Sequence, residues 1–227
     1  MLTTTRLKLA YGALAAADTL LAGSRHRWAH RARHLTKPLL MPVLGASLAT
    51  DPRARGARLR TTTLVGQAGG WGGDVLLLGE GPSAFASGAG SFGLGHLAYI
   101  TGLARHRDRT TDPRDSTAVR AVAGAWAASA PVLALAAARQ ERFLGPTVLG
   151  YSAVLASMVA AASRLDAGVP RDARLLTAAG AGLFMVSDSL LGARTFLLPD
   201  PSQRLESAVM ATYTLAQLLI SEGAARS

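Results

Sequence analysis

Hydrophobic and polar positions along this chain do not repeat with the period of an amphipathic helix or of a half-buried strand. They separate into long uncharged runs divided by short basic stretches. No Asp, Glu, Lys or Arg occurs in Pro82–Ala104, Ala121–Ala138, Phe143–Ser163 or Ser207–Ser221. The first three runs approach or reach the roughly 20 residues that cross hydrocarbon as a helix. Thr61–Gly79 and Leu175–Ala193 are as clean apart from Asp74 and Asp188, Leu9–Ser24 contains only Asp18, and Pro38–Thr50 is a shorter uncharged run. A helix of a soluble bundle carries a polar stripe, and these runs carry none. The pattern predicts an all-α polytopic membrane bundle of about eight transmembrane helices in one domain, residues 1–227, with approximate spans 7–24, 37–50, 61–79, 82–104, 118–138, 143–163, 174–194 and 204–221.

Bulk composition changes little, because 49% hydrophobic and 17% charged residues also suit a soluble domain. The net charge of +10 needs a reason, and its distribution supplies one. The arginines gather in the connections "SRHRWAHRARHLTK", "DPRARGARLR" and "ARHRDRTTDPRD", the placement of loops anchored at lipid head groups rather than of a nucleic-acid surface. With eight spans, most of the 24 Lys and Arg fall on the side of the N-terminus. That predicts an integral protein of a bacterial inner membrane with both termini cytoplasmic, although Arg25–Lys37 opposes the bias. Arg6 and Lys8 before an apolar run resemble a signal peptide, but Asp18 within that run favours a first span.

The absence of cysteine excludes disulfides, thiolate metal sites and a cysteine nucleophile. No glycine-rich phosphate loop, zinc-protease helix or Gly-x-Ser-x-Gly elbow occurs, and no cofactor is expected. With short loops, any chemistry belongs inside the bundle.

Three carboxylates sit in matching contexts there: Asp18 in "ADTLLAG", Asp74 in "GDVLLLG" and Asp188 in "SDSLLGA". Each falls in the C-terminal half of its helix, and the first, third and seventh helices run in the same direction, so the acids are expected at similar depth. An acid near mid-span costs about 2.5–3.5 kcal/mol on insertion scales and is therefore turned toward a partner or water. For Asp18 a helix–helix hydrogen bond serves as well as a function, whereas the small residues around Asp74 and Asp188 leave room for a ligand. Lys37, read as opening the second helix, and Arg194, closing the seventh, belong to the same membrane half. Tyr151, Tyr213 and Gln217 lie within the sixth and eighth helices. Taken singly, Lys37 and Arg194 are also what snorkelling interface residues look like. His96 and Tyr99 share a face of the fourth helix, about 10 Å deeper than the acids at 1.5 Å per residue. His26, His30, His34 and His106 fall in the basic connections.

The motifs "TKPLLMP" (Thr36–Pro42), "GGDVLLL" (Gly72–Leu78), "FASGAGSFGLGHLAYI" (Phe85–Ile100), "SDSLLGARTF" (Ser187–Phe196) and "YTLAQLLI" (Tyr213–Ile220) together resemble the YhhN family, whose animal members include lysoplasmalogenases. The resemblance runs from the second helix to the end of the chain. It departs only at Ser187, where glycine is frequent, and in the glycine-rich third helix. It implies an eight-helix membrane protein that hydrolyses the vinyl ether of a lysoplasmalogen to a fatty aldehyde and glycerophosphoethanolamine or glycerophosphocholine. Such a reaction needs a proton donor, a charge-stabilising carboxylate and a positioned water. In an apolar cavity, desolvation and mutual repulsion let one acid hold its proton while the other stays ionised.

On this reading Asp74 and Asp188 form the acid pair, His96 and Tyr99 position water or relay protons, and Lys37 and Arg194 hold the lipid phosphate. Tyr151, Tyr213, Gln217 and Asp18 complete the surroundings of a lysophospholipid. Oligomeric state is not legible. Three other readings stay open: a zinc-dependent hydrolase, for which the predicted spans hold a single histidine, a proton-coupled transporter, and a lipid-binding protein without turnover.

Overall fold

The computed structural model describes residues 2–227, which form eight α-helices and no strand. They are α1 (Leu2–Ala22), α2 (Arg27–Thr50), α3 (Arg60–Leu76), α4 (Pro82–Arg105), α5 (Thr117–Gln140), α6 (Leu144–Ala162), α7 (Arg171–Phe196) and α8 (Gln203–Ala225). Consecutive helices pair as hairpins, α1 with α2, α3 with α4, α5 with α6 and α7 with α8. The α8 helix also packs against α1, α2 and α3, while α5 lies outermost, against α6 and the edge of α7.

Three of these helices, α5, α6 and α7, are long and apolar enough to cross a membrane. The other five fall short of that standard for different reasons. The α3 helix has 17 residues. In α1, α2 and α8 the apolar residues are diluted by charged ones such as Arg6, Arg31, Arg33, Lys37 and Glu206, and in α4 by glycine and serine. The expectation of about eight spans therefore reduces to eight helices, three of which are candidate spans by length and composition.

The arginine-rich stretch read as the first connection is largely helix. The α2 helix begins at Arg27, so Lys37 lies inside it rather than at its start, and His30 and His34 ride on its surface rather than in a loop. Nothing in "RWAHRARHLTK" breaks a helix. Pro38 and Pro42 follow within the body of α2, where each removes one intrahelical N–H.

The bundle has an apolar core, yet it also exposes leucines and buries several polar side chains. Leu2, Leu20, Leu35, Leu94, Leu135 and Leu175 are largely exposed, whereas Asp18, Asp74, Gln67, His96 and Gln217 are buried. Small residues let the helices close on these polar groups. A Cβ on Gly95 would come within 2.7 Å of the Gly66 carbonyl oxygen, so the α3–α4 contact requires glycine there.

The face that carries the C-terminus is tied by ion pairs. Lys8 Nζ donates to Asp51 Oδ2 at 2.9 Å and also meets Glu222, while Arg53 binds Asp51 at 2.7 Å and Glu222 at 3.2 Å. The Arg53 hydrogen bond, with Lys8 beside it, holds the Asp51 carboxyl well below the usual carboxylate range in spite of its burial. Leu59 N–H donates to Ser227 Oγ at 2.9 Å, docking the last residue onto the start of α3.

Candidate active site

A cavity of about 470 Å³ opens inside the bundle, within the size range of small-molecule sites. Its polar lining includes Arg33, Lys37, Asp74, Tyr151, Asp188, Arg194, Glu206 and Tyr213 with several serines, Gln140 and Thr195, and the remainder is mainly apolar, including Phe92, Leu133, Val148 and Leu155. Gly79 and Gly81 of the α3–α4 turn and Arg194 and Glu206 beside the α7–α8 turn mark its charged end. That end lies on the face opposite Ser227.

Asp74 stands near the C-terminal end of α3 with a relative exposure of 1%. Tyr213 Oη donates to its Oδ2 at 2.7 Å, and Lys37 Nζ lies 3.8 Å from Oδ1. The rings of Phe92 and Phe184 meet Tyr213 edge-on, at centroid separations of 5.8 and 5.5 Å, and fix its hydroxyl on the acid. Glycine at 73 is required for this arrangement, because a Cβ there would lie 2.3 Å from the Phe92 ring.

Asp188 projects from α7 into the same cavity and has a different set of partners. Tyr151 Oη on α6 donates to its Oδ2, and among the described residues it forms no ion pair. Tyr151 Oη also lies 3.1 Å from His96 Nε2. The three groups form a hydrogen-bonded series from Asp188 through Tyr151 to a histidine that is 1% exposed and does not line the cavity. His96 Nδ1 has no hydrogen-bond partner, and the Phe184 ring packs edge-on against the imidazole at 4.8 Å. Along the helix His96 is deeper than the acids, and Tyr151 bridges that separation.

The charged end contains two residues that the sequence reading did not select, Arg33 and Glu206. Glu206, in the first turn of α8, bonds both Arg33 of α2 and Arg194 of α7. Arg33 Nε also lies 3.5 Å from Asp18 Oδ1. Asp18 is fully buried and takes a hydrogen bond from Thr36 Oγ1 at 2.6 Å. It stands behind Arg33 and does not line the cavity. One available signal was the four-residue spacing of Arg33 and Lys37, which puts both on one face once the stretch is read as helix.

Tyr99 and Gln217 do not line the cavity either. They bond each other at 2.9 Å, Tyr99 Oη donating to Gln217 Oε1, in the buried core toward the terminal face. Among the described residues no group of three or more His, Asp and Glu side chains is placed to hold a metal ion. Chemically, the arrangement offers two buried carboxyl groups with unequal partners at one apolar cavity, and guanidinium groups at its end.

A family model described as the YhhN family matches residues 32–224. The match covers every residue of the cavity's polar lining. No curated protein and no solved structure matches the chain.

Proposed function

The chain belongs to the YhhN family, and on that premise we propose that this membrane protein is a hydrolase of lysophospholipid vinyl ethers. Its products are a fatty aldehyde and glycerophosphoethanolamine or glycerophosphocholine. All eight helices cross the bilayer in this reading, with both termini on the cytoplasmic side of a bacterial inner membrane. The outward-facing leucines of the less apolar helices support it, since Leu2, Leu20, Leu35 and Leu94 are 69–76% exposed. Head groups of the surrounding lipids are natural partners for the exposed arginines.

The observation that carries the proposal is the inequality of the two acids at one cavity. Asp74 has Lys37 and a tyrosine hydroxyl to stabilise negative charge, while Asp188 has a tyrosine and, among the described residues, no ion pair. Asp188 is therefore assigned as the proton donor and Asp74 as the ionised partner. Asp188 gives its proton to the β-carbon of the vinyl ether, and the double bond becomes an oxocarbenium ion stabilised by the Asp74 carboxylate. Water adds to the cationic carbon and loses a proton to Asp74. The hemiacetal then collapses, its hydroxyl proton being lost and one proton being gained by the departing glycerol oxygen. Asp74 has gained the proton that Asp188 lost, so one transfer between the acids resets the site. No cofactor takes part.

In this reading Arg194 and Arg33, which now pair with Glu206, hold the lipid phosphate in its place, with Lys37 divided between the phosphate and Asp74. The apolar wall receives the hydrocarbon chain. The test is to incubate the purified protein with a lysoplasmalogen and, separately, with the saturated ether lipid of the same head group. Aldehyde from the first alone is expected. No aldehyde from either, or proton flux across reconstituted vesicles without aldehyde, overturns the proposal in favour of a binding protein or a transporter.

A further inference from the structure

Between Asp74 and the face that carries the C-terminus, the core contains polar atoms with no protein partner. Gln67 is 2% exposed, and neither its Nε2 nor its Oε1 is hydrogen-bonded. Gln217 is 1% exposed and uses Oε1 for Tyr99, while its Nε2 is unpartnered. Thr177 Oγ1 is likewise unpartnered and buried. A buried amide or hydroxyl left unbonded costs about 1–3 kcal/mol, and internal water is the usual remedy. Three side chains in this condition call for internal water at more than one point of the core.

Their order along the helices gives these points a direction. Gln67, Gly70 and Asp74 are spaced three and four residues apart on α3, hence on one face. Tyr213 and Gln217 are four apart on α8, the first bonded to Asp74 and the second to Tyr99. Gly70 lies where the two rows meet: a Cβ there would be 3.2 Å from Gln217 Nε2 and 3.7 Å from Tyr213 Oη. On the far side of Tyr99, Thr63 and Thr177 line a small void of about 10 Å³, enough for the centre of a single water. Thr63 belongs to the first turn of α3, next to the Leu59–Ser227 contact at the terminal face.

We infer that Gln67, Tyr99, Gln217 and Thr177 hold a file of internal water that reaches Asp74 from the terminal face, opposite the charged end of the lipid cavity. Asp74 is thereby served from two sides, by lipid from the cavity and by water from the core. Hydrolysis consumes one water per turnover while the cavity is filled by an apolar chain, and a second route lets water arrive without crossing that chain. This use of the water rests on the hydrolase reading, whereas the presence of the water does not.

The experiment is X-ray radiolytic footprinting of the full chain in nanodiscs with ¹⁸O-labelled water, alongside the aldehyde assay. Tyr99, although only 4% exposed, is expected to take up label. Gln67→Leu and Gln217→Leu are expected to suppress that labelling. Gly70→Ala, whose Cβ enters the space between Gln217 and Tyr213, is expected to keep the Tyr99 label and lower aldehyde release about tenfold with KM unchanged. An unlabelled Tyr99 in the wild-type protein overturns the inference. So does full activity in a folded Gly70→Ala protein whose Tyr99 is labelled. Should Gly70→Ala fail to fold, the two glutamine variants carry both readouts. If the wild-type protein releases no aldehyde, the hydrolase reading fails on its own, and the labelling alone decides whether the file exists.

Discussion

Lys37 Nζ lies 3.8 Å from Asp74 Oδ1, across the contact between α2 and α3. The pairing makes the two acids of the cavity unlike each other, since among the described residues Asp188 forms no ion pair. Replacing either acid by asparagine keeps its shape and removes its proton chemistry. Asp74→Asn and Asp188→Asn are each expected to lower aldehyde release by about 10²–10⁴-fold with folded yield retained. Chromatographic yield and kcat measured together check this, and full activity in both variants rejects the assignment.

Tyr151 stands between His96 and Asp188 and, among the described residues, is the only side chain that bonds both. Tyr151→Phe keeps the ring and interrupts the series. Turnover is expected to fall roughly ten- to a hundredfold while lipid binding is unchanged. If the loss appears in KM instead, the tyrosine serves to seat the lipid.

Glu206 occupies the two arginines that are assigned to the phosphate. Arg194→Lys exchanges a planar two-pronged donor for a point charge, and KM is expected to rise about ten- to a hundredfold at nearly constant kcat, as loss of a charge-assisted bond of about 1.5–3 kcal/mol requires. Glu206→Gln leaves Arg33 and Arg194 without their shared carboxylate, and the unfolding midpoint is expected to fall. Titration with a non-hydrolysable lyso-lipid and a thermal melt read the two effects separately.

The acids were legible in the sequence because each is the lone charge in an apolar run, where its cost demands an explanation. Arg33 and Glu206 were not, because they stand among other charged residues near helix ends and only the convergence of α2, α7 and α8 singles them out. Lys37 reads as a helix start in the sequence but lies inside α2. A basic stretch signals head groups in a sequence, and the backbone beneath it was free to continue as helix. Asp18 matched Asp74 and Asp188 in its local motif, yet its side chain turns to Thr36 and Arg33. Local sequence sets depth along a helix but not the direction of the neighbour that it faces.

Gly73 and the Phe92 ring give a stability prediction independent of any chemistry. A Cβ at 73 meets the ring at 2.3 Å, so the ring must shift. Gly73→Ala is expected to destabilise the protein by about 1–3 kcal/mol in spite of alanine's better helix propensity. Since Phe92 orients Tyr213, loss of activity should accompany the lower unfolding midpoint. An unchanged melt would show that the ring moves freely.

Asp51 governs the acid limit of the terminal face. Its folded pKa lies below that of the unfolded chain, so its contribution to stability is complete above about pH 4, the ordinary carboxylate value, and is lost as pH falls through the folded value. Asp51→Asn is expected to lower stability at pH 7 and to flatten the acid dependence. Unfolding midpoints from pH 7 down to about pH 2 check both, and parallel curves for the two proteins would remove Asp51 from the account.

The outermost position of α5 has a mechanical consequence. Only 11% of its most apolar stretch is buried, yet Trp126, Ala130 and Leu133 form part of the cavity wall. In a bilayer that wall is a partition one helix thick, with the cavity on one side and lipid tails on the other. Pro131 removes a backbone hydrogen bond halfway along it. Lateral pressure and acyl-chain length in the host membrane would then act on the cavity directly, making bilayer composition a physical variable of its shape.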